Sequence, residues 1–307
     1  MRASSTRRTI LAASLLIVVP AGLLLLLLHL VLPRLREENF KRYFDRPRKI
    51  TNEQFTLYAE ADDPAGDAAA DVLRTFLNHL YARWGDGERL DLVGQRELEH
   101  PVVVLLLRDH ARLKDYHGPR YRTQTIEFNA GMYEPIAGTI ALVSGRLSAP
   151  AELRRILCHE ATHLVLDRLV RGGNHDWSLW LNEGLATYLE ASRPLAGVGF
   201  RLGGLTPAHV DTVSERLPVS VADVLALTPA DFTALDNRRA YALASVFIGF
   251  LLEGEGRRYE HRFWQYVAAE RAPGPVAPGR FESVFRLPLG QLDAAFQAFV
   301  REQRYLR

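Results

Sequence analysis

The chain is nearly free of cysteine. Cys158 is the only one, which excludes an intramolecular disulfide framework. There is no dense basic stripe in the main body and no zinc-finger spacing, so no nucleic-acid partner is expected. The formal net charge is only +2, a balance that names no acidic partner. No internal repeat and no long low-complexity tract interrupts the sequence. What is present is 307 residues, 48% of them hydrophobic and 24% charged, enough to build the core of one or two globular domains. Cys158 itself sits one residue before His159, about a quarter-turn around a helix. It reads as a small core residue instead of a ligand.

A second feature is a long apolar run over 9–32, with no charge and His29 as its one ionisable side chain. About 20 apolar residues span a bilayer, so the run is long enough for an anchor. No small-x-small cleavage site follows it, which favours an uncleaved transmembrane helix over a removed signal peptide. Lys and Arg counts alone would put the following domain in the cytoplasm. A short basic N-terminus before a first apolar segment also resembles an export signal, and the expectation adopted is a single-pass membrane protein with an extracytoplasmic domain. The basic residues between Arg34 and Lys49 would then lie against anionic headgroups of the lipid bilayer.

After this linker, residues 54–59 alternate and predict a strand. Residues 63–84 predict an amphipathic helix with Val72, Leu73, Phe76, Leu77, Leu80 and Tyr81 on one face, ended by Gly85 and Gly87. The wholly apolar run 101–107 predicts a buried strand. A short helix is expected over 110–116, and a hairpin over 131–135 and 138–143. Pro150 opens a helix that stops at Gly172-Gly173. Further helices are expected over 178–191, 240–253, 257–270 and 281–305. The fold class expected is α+β. It comprises an N-terminal transmembrane helix, a small mixed-sheet lobe and a helical lobe, with the helix 150–170 between the lobes. The divisions are a basic tail 1–8, the anchor 9–32, a basic linker 33–49 and a folded domain 50–307.

That central helix contains His159-Glu160-Ala161-Thr162-His163, an H-E-x-x-H sequence. Residues four apart share a helix face, so both imidazoles can reach one metal ion. Glu160 stands beside them, placed to act on a water as general base without ligating. A catalytic zinc takes three protein ligands and keeps one position open. Glu183, twenty residues after His163, is the expected third ligand and Zn2+ the expected cofactor. Ligand imidazoles need partners for their other nitrogen, and Asp167 and Asn182 are candidates. Tyr241 is a candidate donor to a developing oxyanion, with a half-buried core tyrosine as the plain reading. Arg238 and Arg239 read either as contacts to a substrate carboxylate or as surface charges. His175 reads as a surface or cleft residue.

The pair His159–His163 and Trp180-Leu181-Asn182-Glu183-Gly184-Leu185-Ala186-Thr187-Tyr188 resembles the gluzincin metallopeptidases, and most closely the peptidase MA-like bacterial domains. The likeness extends to 102–107, 131–133, 241–244 and 281–285, and so to most of the folded domain 50–307. It implies a zincin-like, thermolysin-like core whose edge strand holds an extended peptide above the metal helix. It implies His159, His163 and Glu183 as zinc ligands, Glu160 as general base and Tyr241 as a transition-state donor. Gly131-Met132-Tyr133-Glu134-Pro135 departs from the Gly-x-Met-Glu-Asn strand with which related aminopeptidases grip an amino terminus, so that specificity is not implied.

Two functions follow as expectations. One is a membrane-anchored zinc peptidase acting on a peptide or protein substrate. The other is a membrane-tethered scaffold that retains the metal site for structure. A structural zinc takes four protein ligands, and three are found here, which favours the first.

Overall fold

In the computed structural model, the described residues are 37–84, 102–118, 130–135, 138–146, 149–168, 177–195, 199–234, 236–270 and 279–306. The chain divides into units 1–47 and 48–307. In the first, residues 37–41 are helical, and Lys41 pairs with Glu37 at 3.0 Å.

The second unit contains a five-stranded sheet in the order β1-β2-β3-β5-β4. Its strands are β1 (Pro47–Thr51), β2 (Phe55–Glu60), β3 (Val102–Leu107), β4 (Gly131–Glu134) and β5 (Thr139–Val143). β3 is apolar throughout because it is central: it pairs in parallel with β2 and with β5, and all six residues are buried. β4 returns antiparallel to β5, with Tyr133 opposite Ile140. Among the described residues β4 is the end of the sheet.

The parallel pairs need crossovers, and helices supply them. α1 (Ala65–Trp84) links β2 to the β3 side of the sheet, and α2 (His110–His117) follows β3. α1 buries Leu73, Phe76, Leu77 and Leu80, and leaves Val72 and Tyr81 half-buried at the margin of that face. It starts two residues later than expected because Asp63 accepts from the Ala65 N–H and so precedes the helix.

α3 (Pro150–Arg168) carries the H-E-x-x-H residues and packs against α1, β4 and β5 on one side and α4 (Leu179–Leu189) on the other. The hairpin β6 (Arg193–Leu195) and β7 (Gly199–Arg201) follows α4. Three short helices then come that hydrophobic periodicity does not announce: α5 (Pro207–Ser214), α6 (Val221–Leu225) and α7 (Pro229–Thr233). Next comes the long, buried α8 (Arg238–Arg257), whose helical backbone ends at Gly254. α9 (Glu260–Glu270), α10 (Arg280–Phe285) and α11 (Leu289–Tyr305) complete the unit. One apolar cluster runs from the sheet through these helices.

α4 and α8 approach closely at one point. A Cβ at Gly184 would lie 2.9 Å from the Ala244 carbonyl oxygen, so only glycine fits without moving a helix. This contact sets Glu183 on α4 against Tyr241 on α8.

Two expectations are corrected. The expected α+β division into a mixed-sheet lobe and a helical lobe gives way to a mixed α/β fold, in which β2, β3 and β5 pair in parallel with helices between them in the chain. The N-terminal transmembrane helix and single-pass membrane localisation are not supported. No helix among the described residues is long and apolar enough to cross a membrane, and residues 9–32 lie outside the described set. The most apolar long helix, α8, shows why. It carries Arg238, Arg239, Glu253, Glu255 and Arg257, and its apolar side chains are covered by α4, α5 and α11.

Candidate metal centre

The helical spacing brings His159 and His163 together, their rings 4.9 Å apart and nearly perpendicular. Glu183 Oε2 lies 3.6 Å from His159 Nε2 and 3.8 Å from His163 Nε2. All three ligand atoms lie within 4.8 Å of one another. Bonds of about 2.0–2.1 Å to a tetrahedral ion put ligand atoms roughly 3.3 Å apart, so each Glu183–imidazole separation is within about half an ångström of that spacing. The His159–His163–Glu183 group could therefore hold a metal ion.

The outer nitrogens are also arranged for that. His163 Nδ1 lies 2.9 Å from Asn182 Oδ1, as the sequence suggested. His159 Nδ1 lies 3.1 Å from Glu190 Oε2. Both partners are acceptors, so each ring donates from Nδ1 and directs Nε2 toward Glu183, free to ligate once its proton is displaced. Glu190 is itself held by Arg155 at 3.3 Å. Sequence reading missed Glu190, yet the signal exists: it stands seven residues after Glu183, two turns along the same helix face.

Electrostatics agree with cation binding. Burial works against charge on His159, but hydrogen bonds to Glu183 and Glu190, with Glu160 nearby, raise its pKa to about 10. Burial opposes the charge on Glu183 too, and His163, His159 and the Tyr241 hydroxyl overcome it, holding its pKa below the usual carboxylate value. Surroundings that favour a proton between these groups favour a divalent cation still more.

Asp167 is a correction. It accepts from the Tyr133 hydroxyl at 2.6 Å and serves no imidazole, because it lies at the strand end of α3 where β4 crosses. It ties the edge strand to the metal helix. Asn182 and Glu190 hold the histidines instead.

A cleft of about 680 Å³ opens at the centre. His159, Glu160 and Tyr241 line it, with Gly131 of β4 on another wall. Glu160 is only 9% exposed, so its carboxylate belongs to the cleft and not to bulk water. Tyr241 packs edge-on against Phe232, and its hydroxyl is near enough to Glu183 to favour the charged carboxylate. Burial and the surrounding carboxylates push its phenol pKa upward, so it stays a donor. Arg238 lines the cleft and Arg239 does not. His209, to which the sequence assigned nothing, also lines it and lies 3.1 Å from Ser245 Oγ. Glu134 is buried away from the cleft and accepts from Tyr116 at 2.7 Å. His175 lies outside the described residues.

Glu190→Ala is expected to weaken zinc binding about 10–100-fold, the usual effect of losing an imidazole's outer partner. Titration against a competing chelator reads this directly. Glu190→Gln keeps an acceptor oxygen and should lose less. Comparison with protein-family models finds none that matches the chain, and comparison with curated proteins finds no match.

Proposed function

We propose that the chain is a zinc-dependent peptidase of gluzincin type. The observation that carries this reading is the convergence of three ligands, with no fourth among the described residues, beside a buried carboxylate on a cleft wall. Two imidazoles and one carboxylate suit zinc, and a structural site would take four protein ligands.

Zinc, when bound, would polarise the scissile carbonyl and make water acidic enough to deprotonate near neutral pH. The chain's own residues do the rest. His159 and His163 present Nε2, oriented by Glu190 and Asn182. Glu160 takes a proton from the attacking water and passes it to the leaving amine. β4, the end of the sheet among the described residues, would offer its edge to an extended peptide, with Gly131 on the cleft wall. Tyr241 keeps its proton and donates a hydrogen bond to the developing oxyanion.

The test is a peptide library digested by the full chain. Cleavage should stop with chelator and return with zinc. A zinc-saturated protein that cleaves nothing overturns the reading. Tyr241→Phe should lower kcat by about 10²–10³ at full zinc occupancy, the usual effect of losing one oxyanion donor. If the hydroxyl only props Glu183, the same variant weakens zinc binding and leaves kcat at saturating zinc intact.

A further inference from the structure

A second cleft of about 640 Å³ lies among α1, α4, β7 and the end of α8. Its volume is in the range of small-ligand sites, roughly 300–1,000 Å³. Half-buried Phe200 contributes aromatic surface, with the His79 ring 4.9 Å from it, above the buried Trp84 and Tyr188. Arg83, Arg201 and Arg257 reach it from three separate elements.

Two carboxylates share the cleft, and both are committed. Glu260 takes Arg83 at 2.8 Å and the Trp84 indole N–H at 3.2 Å. Glu253 accepts from the Tyr188 hydroxyl and lies 3.7 Å from Arg201. Arg257 forms no hydrogen bond or ion pair among the described residues. Three arginines against two glutamates leave one positive charge in excess.

The backbone at Arg257 adds an independent observation. Its φ is 70°, and it follows Glu255 at 47° and Gly256 at 67°. Left-handed backbone is disfavoured for residues with a Cβ, and such conformations cluster at functional sites. A glycine at 257 would suit this backbone better, yet an arginine is there and faces the cleft.

We propose that this cleft is a binding site for a small organic monoanion with a flat apolar body. The anion pairs with Arg257, and the apolar body lies on the surface of Phe200 and the His79 ring. One excess positive charge selects a monoanion over a dianion, and a neutral ligand leaves Arg257 unanswered. The site stands independently of the peptidase reading.

Calorimetric titration of the full chain with 3-phenylpropanoate tests it, with 3-phenylpropanamide as the neutral match. The carboxylate should bind saturably and at least tenfold more tightly than the amide. Arg257→Gly should weaken it at least tenfold while raising Tm, because glycine relieves the left-handed strain; the same melting curve reports that the variant folds. Arg238→Ala, in the other cleft, should leave the affinity unchanged. Absence of saturable binding, equal binding of the amide, or indifference to Arg257→Gly overturns the proposal. So does a loss of affinity on Arg238→Ala, which would place the anion at the metal cleft.

Discussion

Glu160→Gln is expected to lower kcat for peptide cleavage by about 10²–10⁴, the range that a positioned general base contributes. The amide keeps the size and an acceptor oxygen, so the cleft wall stays filled. It cannot accept a proton from the attacking water. Glu160 is not among the three converging ligands, so zinc content and zinc affinity should stay close to those of the native chain. This separation makes the variant informative: activity disappears while the metal remains. KM should change little, because the lost interaction acts on the proton in flight. Parallel zinc analysis and kcat measurement check it. Undiminished turnover at full zinc occupancy would show that another base performs the step, and His209, on the same cleft, would be the group to examine.

The centre was legible because a short local pattern encodes it. The four-residue spacing of His159 and His163 fixes their shared face without any tertiary knowledge. Asn182, adjacent to Glu183, was readable for the same reason. Asp167 sits four residues after His163 and satisfies the same helical arithmetic, yet it turns to Tyr133. That contact depends on where β4 crosses α3, a tertiary fact that no helical periodicity holds. Glu190 escaped for the opposite reason: it bonds across two helices, and only its register with Glu183 hints at it.

In the fold, β3 announced itself by its unbroken apolar run, and the β4–β5 hairpin by its flanking Gly131 and Gly138. Parallel pairing did not, since β2 and β3 read the same whichever way they run. The class was therefore set as α+β when crossovers make it mixed α/β. The short helices α6 and α7 lack hydrophobic periodicity because each has only five residues. Their signal lies in capping: Ser220 with Asp223, and Thr228 with Asp231 beside Pro229. Length alone does not mark a span: α8 has 20 residues, carries charge at both ends and is buried by neighbouring helices.

Glu183→Ala is expected to weaken zinc binding more than about 100-fold, beyond the effect of losing an outer partner such as Glu190. Its consequence for folding separates a catalytic centre from a structural one. The contacts of Glu183 run to His159, His163 and Tyr241, all within the centre. The contacts that lock α4 against α8 lie elsewhere, at Gly184 against Ala244 and at Trp180 against Phe247, and alanine leaves both in place. A chelated Glu183→Ala protein should therefore melt within a few degrees of the chelated native chain. Zinc should stabilise the native chain by about 4 kcal/mol at a thousandfold excess over its Kd, and the variant by no more than about 1.4 kcal/mol at the same concentration. If the metal instead holds the fold together, the variant will lose its cooperative transition, as small zinc-dependent domains do without their ion. Melting curves of both proteins, with and without zinc, decide between the peptidase and the scaffold: cooperative melting in the variant with a much reduced zinc response supports the first, and loss of the cooperative transition supports the second.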